Sequence, residues 1–267
     1  MIKLYYGIDG TGDADDDVYR ENFSQSFVNV FKDEFPFDQK IYRRGPTLLG
    51  TQTKTLGANA SEFVDFWSRY HVAEERFICL AGYSRGGAAV IHACNLLKRK
   101  GIRIGCLLLF DAVDRAVDVF EVDAVPSNVD RVFHARRSPK SNSRPYFGNC
   151  GTSLLRDNGS SNSQDYKEEF FSGTHGSIGG TPWKRLVRPP TKQQASDLAL
   201  SMAKSAFLGP AMVANNVLAK MDNRIVEDGI ATNVTYDEDR QAAAAAGFWM
   251  RTKLWTYLSD IGLTTCR

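Results

Sequence analysis

A glycine-flanked serine lies between an apolar run and a helix-like segment in the first half of the chain. Residues 77–81 form the run, residues 82–86 read Gly-Tyr-Ser-Arg-Gly, and a helical pattern continues to residue 100. A short apolar run bounded by glycine is typical of a buried strand. The serine pattern often arises by chance, but it is much rarer between a strand and a helix. The segment therefore predicts a sharp strand-to-helix turn with Ser84 at its tip.

The two glycines beside Ser84 have a steric explanation. A side chain at position 82 or 86 would collide with the neighbouring strand or helix, so both positions require glycine. A serine in this context is the nucleophile elbow of α/β-hydrolases, which exposes the hydroxyl at the carboxyl edge of a sheet. Ser84 is therefore our candidate nucleophile.

The rest of the chain alternates between strand-like and helix-like segments. The most continuous hydrophobic run, 102–110, is expected of a strand buried on both faces, which favours a parallel sheet. We predict an α/β fold, with a mostly parallel α/β-hydrolase-like sheet, helices on both faces and a helical C-terminal segment. Further strands are predicted at 2–8, 40–42, 131–135 and 167–172, and helices at 22–31, 58–70, 193–220 and 239–261.

The sequence contains no internal repeat and no clear linker. We therefore predict one domain over 1–267, with a core of about 1–205 and a C-terminal helical segment of about 206–267. The apolar faces of the C-terminal helices are interpreted as surfaces packed on the sheet. A lid or an acyl-chain groove is the alternative interpretation of these helices.

The composition is that of a globular protein: 43% of the 267 residues are hydrophobic and 24% are charged. The net charge of +2 gives no indication of nucleic-acid binding, and basic pairs such as Arg43-Arg44 and Arg136-Arg137 are interpreted as solvated surface. The cysteines are odd in number and show no C-x-x-C spacing, which favours reduced core thiols. They occupy positions 79, 94, 106, 150 and 266.

No targeting or metal-binding signal stands out in the sequence. The chain opens on a strand-like run without a basic segment or cleavage site, and no apolar run approaches roughly 18 residues. We expect a soluble protein, cytoplasmic or exported without a cleavable signal peptide. The acidic run 13–17 lacks EF-hand spacing and the distal glutamate, so a solvated loop is favoured over a cation site there. We predict neither a metal nor a cofactor.

An activated serine needs an imidazole that accepts its proton and a carboxylate that orients the imidazole. In α/β-hydrolases the order is serine, then aspartate or glutamate, then histidine, each on a loop after a strand. Asp111 directly follows the buried run 102–110, so its carboxylate should emerge at the same edge of the sheet as Ser84. Asp114 is the rival acid, and Asp111 is favoured because it lies nearer the strand end.

The chain has four histidines from which to choose a base. His71 precedes the serine, and His92 lies on the helix after it, where packing or solvation is the expected role. His134 belongs to the strand at 131–135 and is a real rival. His175 follows the strand at 167–172 and lies among glycines, which allow a tight turn towards the site. The chain order favours His175.

The oxyanion hole requires backbone N–H groups aimed at the substrate oxygen. One should belong to Arg85, the residue after the nucleophile, and the other to a loop after an early strand. The turn at 9–12, Asp-Gly-Thr-Gly, is the natural supplier. Gly10 and Thr11 are the candidates, and the sequence does not choose between their amides.

Several motifs in the same order resemble those of one family, the DUF2235 family of bacterial and fungal α/β-hydrolases, which includes phospholipase effectors of type VI secretion. The resemblance covers about residues 1–205. Two residues after His175 the chain has Ser177, where the family commonly has aspartate. The similar segments are 9–12, 82–87, 109–113, 132–135 with 144–147, 171–180 and 196–200.

The resemblance implies Ser84 as nucleophile, Asp111 as acid and His175 as base. It also implies a serine esterase or lipase-like hydrolase, with a phospholipid or another acyl ester as substrate and a membrane surface as a partner. Two alternatives stay open from the residues themselves. One is a non-catalytic binding module of the same fold, and the other is a thioesterase or peptidase with the same triad, since the triad does not fix the acyl group.

Overall fold

A parallel sheet of six strands is the centre of this computed structural model. The strand order is β2-β1-β3-β4-β5-β6, and every neighbouring pair is parallel. The strands are β1 Ile2–Ile8, β2 Gln39–Arg43, β3 Arg76–Tyr83, β4 Ile104–Phe110, β5 Val129–Arg137 and β6 Tyr166–Phe171. The structure describes residues 1–47, 51–70, 75–114, 119, 121–157, 165–184, 219 and 222–263.

The predicted fold class is confirmed. Each of the six predicted strands is present, and β3 and β4 at the centre of the sheet are almost wholly buried, as the apolar runs indicated. Because all strands run in the same direction, their carboxyl ends meet at one edge. Ser84 follows β3 and Asp111 follows β4, so both lie at that edge.

Helices cover both faces of the sheet, as predicted. The helices α3 and α4 share one apolar core with the sheet, and α1, α2 and α6 contribute to the other. The helix α6 confirms the expected helical C-terminal segment, while the helix predicted at 193–220 lies outside the described residues apart from Ala219. The helices are α1 Asp16–Phe23, α2 Phe27–Glu34, α3 Thr53–Tyr70, α4 Arg85–Arg99, α5 His175–Ile178 and α6 Tyr236–Asp260.

The single helix predicted at 22–31 is wrong, because the chain forms α1 and α2 with a break between them. Ser26 causes the break: its Oγ accepts a hydrogen bond from the Asn29 N–H and caps α2. The same hydroxyl donates to the buried Asp9 carboxylate. A serine that serves as an N-cap favours a helix start over a continuous helix.

Two further boundaries differ from the sequence prediction. The helix α3 begins at Thr53, five residues before the predicted start. An antiparallel hairpin, β7 Arg224–Glu227 and β8 Ile230–Thr235, was not predicted at all. Its strands are too short to show a convincing alternation, and its signal was the turn Asp228-Gly229, where both residues have a positive φ.

The acidic run 13–17 has a structural role in the described chain. The Asp15 carboxylate caps α1, and Asp16 forms an ion pair with Arg44. Among the described residues no group of three or more His, Cys, Asp and Glu side chains is arranged to hold a metal ion. The four cysteines in this part of the chain are buried and unbridged, as expected: Cys79, Cys94, Cys106 and Cys150. None of the described helices is long and apolar enough to cross a membrane.

Candidate active site

Ser84 occupies a strained turn between β3 and α4. Its backbone angles are φ 56° and ψ −128°, a conformation that costs a non-glycine residue on the order of 1–3 kcal/mol. Neighbouring backbone compensates: the Ser84 N–H donates to Phe110 O at 3.1 Å, and the Ser84 carbonyl accepts from Val113 and Gly87 at 3.1 and 2.9 Å. Strain that the surroundings hold in place is typical of functional residues.

The steric explanation for the flanking glycines is confirmed. A Cβ at position 82 would lie 2.5 Å from the Gly86 carbonyl oxygen, and a Cβ at position 86 would lie 2.2 Å from the Ile8 carbonyl oxygen. Both are backbone atoms that no side-chain rotation can move away. The close approach of α4 to β1 and β3 therefore depends on glycine at these two positions.

The structure brings together the three residues expected of the triad. The His175 Nε2 lies 2.9 Å from Ser84 Oγ, and the His175 Nδ1 lies 2.6 Å from Asp111 Oδ2. The three residues are separated by up to 91 positions in sequence, yet none is more than 5% exposed. With a proton on Nδ1, the Asp111 carboxylate accepts from His175, and Nε2 is left to accept from the Ser84 hydroxyl.

Asp111, and not its rival Asp114, supplies the carboxylate to the histidine. Asp111 adopts a left-handed conformation, φ 45°, and its N–H donates to Ala135 O at 2.7 Å. This turn at the end of β4 directs the carboxylate across the sheet edge. The Asp114 N–H instead donates to Gly148 O at 3.2 Å.

His175 is held at both its backbone and its ring. It is the first residue of α5, whose cap is Thr174, and its N–H donates to Ser143 Oγ at 2.8 Å. The Tyr83 ring lies 5.0 Å from the imidazole, and the Tyr83 hydroxyl donates to the His175 carbonyl at 3.2 Å. On the other side of the loop, the buried Asp239 carboxylate accepts from the Thr174 N–H at 2.7 Å.

The rival base His134 has a different position and role. It is fully buried, its Nε2 accepts from the Ala112 N–H at 3.2 Å, and its Nδ1 lies 3.0 Å from the Tyr166 hydroxyl. Burial lowers the pKa of His134 to about 3, so the ring stays neutral. His134 thus supports the loop after Asp111. His92 packs near α3 beside Gly57, and His71 lies outside the described residues.

Sequence reasoning missed Arg137, which lies at the end of β5 against the acid. Its guanidinium Nη1 lies 2.5 Å from Asp111 Oδ2, and its N–H donates to Asp111 Oδ1 at 3.3 Å. Its Nε donates to Ser143 O at 2.9 Å, and its Nη2 donates to the carbonyls of Arg144 and Phe147. The interpretation of Arg136-Arg137 as solvated surface is therefore wrong for Arg137, which is 8% exposed.

A signal for Arg137 existed in the strand alternation. In β5, residues 133, 135 and 137 point to one face and residues 134 and 136 to the other. The basic pair therefore divides between the two faces. Arg136 pairs with Glu168, which is part-exposed, whereas Arg137 reaches the end of β4 and its aspartate.

The charges around the triad set the protonation states expected at neutral pH. Burial alone would raise the pKa of Asp111, but the hydrogen bond from His175 and the charge of Arg137 lower it well below the usual range. Burial lowers the pKa of His175, Asp111 opposes this shift, and Arg137 and Arg144 add to it. The arrangement therefore favours an ionised Asp111 beside a neutral His175.

The turn after β1 lies beside the serine, as expected of an oxyanion loop, and Thr11 and Arg85 both line the cavity there. The Gly10 N–H donates to Asp9 Oδ1 at 2.9 Å, so of the two candidate amides we retain Thr11 for the proposal below. Asp9 is fully buried and also accepts from the hydroxyls of Ser26 and Tyr42. Burial raises the pKa of Asp9 to about 7, although these hydrogen bonds oppose the shift.

Ser84 and His175 open onto a cavity of about 1090 Å³. Its walls come from α1, α2, α6 and the segments around 144–147 and 180–184. Its lining includes both apolar and charged side chains. The apolar part includes Phe23, Phe27, Phe147, Trp183, Ala243 and Ala244.

The strand order of the sheet and the three residues at its carboxyl edge define the fold class of this protein. A parallel sheet with a serine on the turn after β3, an aspartate after β4 and a histidine after β6 has the arrangement of the α/β-hydrolase fold. No protein-family profile and no curated protein matches the chain.

Solved structures to which the chain is similar include three proteins of low identity. An uncharacterized protein from Pseudomonas aeruginosa is 13% identical, with a TM-score of 0.47 over 94% of this chain, which spans half (50%) of that protein. The NocB thioesterase domain of the nocardicin cluster is 13% identical, with a TM-score of 0.37 over 77% of this chain and 94% of its own. A cutinase-like protein from Cryptococcus sp. is 14% identical, with a TM-score of 0.29 over 66% and 77%. These scores are low, and the fold class rests on strand order and site geometry.

Proposed function

We propose that this protein is a serine hydrolase that cleaves carboxylic esters through an acyl-enzyme intermediate. The observation that carries the proposal is the unbroken chain of hydrogen bonds from Ser84 through His175 to Asp111, with contacts of 2.9 and 2.6 Å. A serine hydroxyl is a weak nucleophile until a base accepts its proton. These hydrogen bonds connect Ser84 to such a base and connect the base to the group that orients it.

The reaction proceeds in two halves. His175 Nε2 takes the proton of Ser84 as Oγ bonds to the ester carbonyl carbon, and the negative charge moves to the carbonyl oxygen. The amides of Arg85 and Thr11 stabilise that oxyanion. The C–O bond to the alcohol then breaks, the alcohol takes the proton from His175, and Ser84 remains acylated. Water, activated by the same imidazole, releases the acid and restores the serine.

The proposed substrate class is a lipid or phospholipid ester. A cavity of about 1090 Å³ with aromatic and alanine side chains has room for an acyl chain beside Ser84. The helix α6 contributes Ala243 and Ala244 to it, so the C-terminal segment both packs on the sheet and lines the cavity. The resemblance to phospholipase effectors points in the same direction, with a membrane surface as the source of substrate.

Ester hydrolysis tests the proposal directly. We expect the wild type to hydrolyse 4-nitrophenyl butyrate and Ser84→Ala to lose this activity while keeping its circular dichroism spectrum. A wild type that hydrolyses neither this ester nor the matching thioester would favour the non-catalytic binding module. Products released from phosphatidylcholine vesicles would separate a phospholipase from a general esterase, and a clear preference for thioesters or peptides would identify the remaining alternative.

The pH dependence of kcat/KM should reflect the environment of His175. The imidazole works only when neutral, and burial together with Arg137 and Arg144 lowers the pKa of His175. On the acid side, we therefore expect kcat/KM to fall to half its maximum at a pH below about 6.5, which is the ordinary pKa of histidine. A half-maximal point above pH 7, measured with 4-nitrophenyl butyrate, would contradict the assigned electrostatics.

A further inference from the structure

Arg144 occupies an energetically costly position at the edge of the site. Its backbone is left-handed, φ 42°, which costs an arginine on the order of 1–3 kcal/mol. Its side-chain Nε is buried and forms no hydrogen bond with any residue that the structure describes. A strained backbone and an unsatisfied buried donor are each uncommon, and each calls for an explanation in function.

The surrounding residues hold Arg144 in this conformation. The Arg144 carbonyl accepts from the buried Arg137 guanidinium at 3.3 Å and from the Phe147 N–H at 3.0 Å. The Arg144 guanidinium lies over the Phe147 ring at 5.0 Å, and the same ring meets the His175 ring edge-on at 5.5 Å. Phe147 therefore links the guanidinium to the imidazole, and Arg144 lines the cavity that contains Ser84.

The carboxylates that lie near the guanidinium in the described part of the chain leave it only loosely paired. The Arg144 Nε lies 3.7 Å from Glu227 Oε1 and 3.9 Å from Asp228 Oδ2, beyond hydrogen-bond distance. The Glu227 carboxylate is engaged elsewhere, since Ser143 and Trp183 both donate to it. Asp228 has a side chain that is 62% exposed, where solvent weakens its attraction.

The other charged side chains that line the cavity leave it with more cations than anions. Arg251 is satisfied by a two-point ion pair with Glu34, at 2.6 and 2.8 Å, and Arg240 pairs with Asp237 at 2.8 Å. The Arg85 side chain, beside the nucleophile, donates to Thr11 Oγ1 at 3.3 Å. Among the described lining residues the cations are Arg85, Arg144, Lys184, Arg240 and Arg251, and the anions are Glu21 and Glu227.

We propose that Arg144 binds an anionic group of the ester substrate, a carboxylate or a phosphate, next to the bond that is cleaved. The Arg144 side chain is 31% exposed and its contacts with carboxylates are 3.7 Å or longer, so its planar guanidinium can face the two oxygens of such a group. The inference rests on the proposed hydrolase function and adds to it a substrate class: esters that carry a negative charge near the reacting carbonyl.

Matched ester pairs test the inference at pH 8, where His175 is neutral in every variant. One pair is 4-nitrophenyl hexanoate and the mono-4-nitrophenyl ester of adipic acid, which places a carboxylate at the end of the acyl chain. The other pair is 4-nitrophenyl butyrate and 3-carboxy-4-nitrophenyl butyrate, which carries the carboxylate on the leaving group. We expect Arg144→Gln to lower kcat/KM for at least one anionic ester by about 10- to 100-fold, in line with the loss of a charged hydrogen bond. The neutral partners should change less than about threefold, within the context-dependence of such effects.

Two further variants separate binding from folding. Asparagine tolerates the left-handed conformation, so Arg144→Asn should fold at least as well as the wild type while losing the preference for anionic esters. Arg103→Gln removes a matched charge at the opposite edge of the sheet, where Arg103 pairs with Asp130, and should leave the preference unchanged.

Ligand binding keeps the inference separate from catalysis. Calorimetry with phenylphosphonate and with benzoate should show that the wild type binds at least one of them. Arg144→Asn should bind that ligand more weakly. The ligand that the wild type binds more tightly identifies the anionic group as a phosphate or a carboxylate. Equal binding by the two proteins, or equal loss of activity on neutral and anionic esters, would overturn the inference. If neutral esters are hydrolysed through Ser84 but neither readout depends on Arg144, the hydrolase proposal stands and this inference fails.

Discussion

Replacing His175 by alanine should lower kcat/KM for 4-nitrophenyl butyrate by about 10⁵-fold or more, the scale seen when the base of a serine triad is removed. Among the described histidines, His175 is the one whose ring forms a hydrogen bond with Ser84, at 2.9 Å. The variant should stay folded, because α5 is also held through the backbone N–H groups of Thr174 and His175. Stopped or continuous assays at pH 8 give the rate, and circular dichroism confirms the fold.

His134 provides the matched control for this prediction. It is buried and supports the Ala112 amide, so His134→Gln should cost stability of about 1–3 kcal/mol while the folded fraction keeps its turnover. If a folded His134 variant lost all activity while His175→Ala retained it, the assignment of the base would be wrong. The two variants therefore decide between His175, which the chain order favours, and its rival His134.

Replacing Arg137 by methionine should have the largest effect on stability. Arg137 and Asp111 form a buried ion pair at 2.5 Å, and removing one partner of such a pair costs about 3–5 kcal/mol. The pKa of Asp111 is depressed in the fold, so its ionised form contributes stability above the unfolded pKa of about 3.9. Without Arg137 that pKa rises, and part of the contribution is lost. Urea unfolding at pH 7 measures the difference in free energy.

The same variant should also move the pH profile of the enzyme. The charge of Arg137 lowers the pKa of His175, so its removal should raise that pKa and shift the acid limb of kcat/KM to higher pH. Arg137→Lys retains a positive charge, so it should keep part of the lowering of the His175 pKa. It should lose the forked contacts to Ser143, Arg144 and Phe147. Arg136→Met, at the neighbouring position paired with Glu168, should leave the acid limb in place. An unchanged limb in Arg137→Met would mean that Arg137 only packs against the site.

The features that were predictable from sequence have strong local signals. The strands β1, β3 and β4 are short, mostly apolar runs, the elbow is a compact motif with two sterically required glycines, and Asp111 and His175 follow strands in the expected order. A parallel sheet then brings these residues together without further information, because all its carboxyl ends lie at one edge.

The features that escaped prediction depend on contacts between distant segments. Arg137 was missed because a basic pair usually indicates surface. The strand alternation separates the two arginines, but the burial of Arg137 depends on its contact with Asp111, 26 residues earlier. Ser26 splits the predicted helix partly because it reaches the buried Asp9, 17 residues before it. Asp239 holds the loop of His175 through the Thr174 N–H, although it lies 65 residues further along the chain. Asp239 belongs to the first turn of α6, where the sequence shows only a local capping signal. Burial of a charged group is decided by its partner, which a single-sequence pattern does not reveal.

Covalent labelling of Ser84 is the most direct test of the central claim. Incubation with a fluorophosphonate probe should add one adduct to the intact protein, peptide mapping should place it on Ser84, and Ser84→Ala should not be labelled. Labelling should also slow strongly in His175→Ala, because the hydroxyl then lacks its base. An unlabelled wild type, under conditions in which a known serine hydrolase reacts fully, or an adduct that persists in Ser84→Ala, would contradict the proposal that Ser84 is an activated nucleophile.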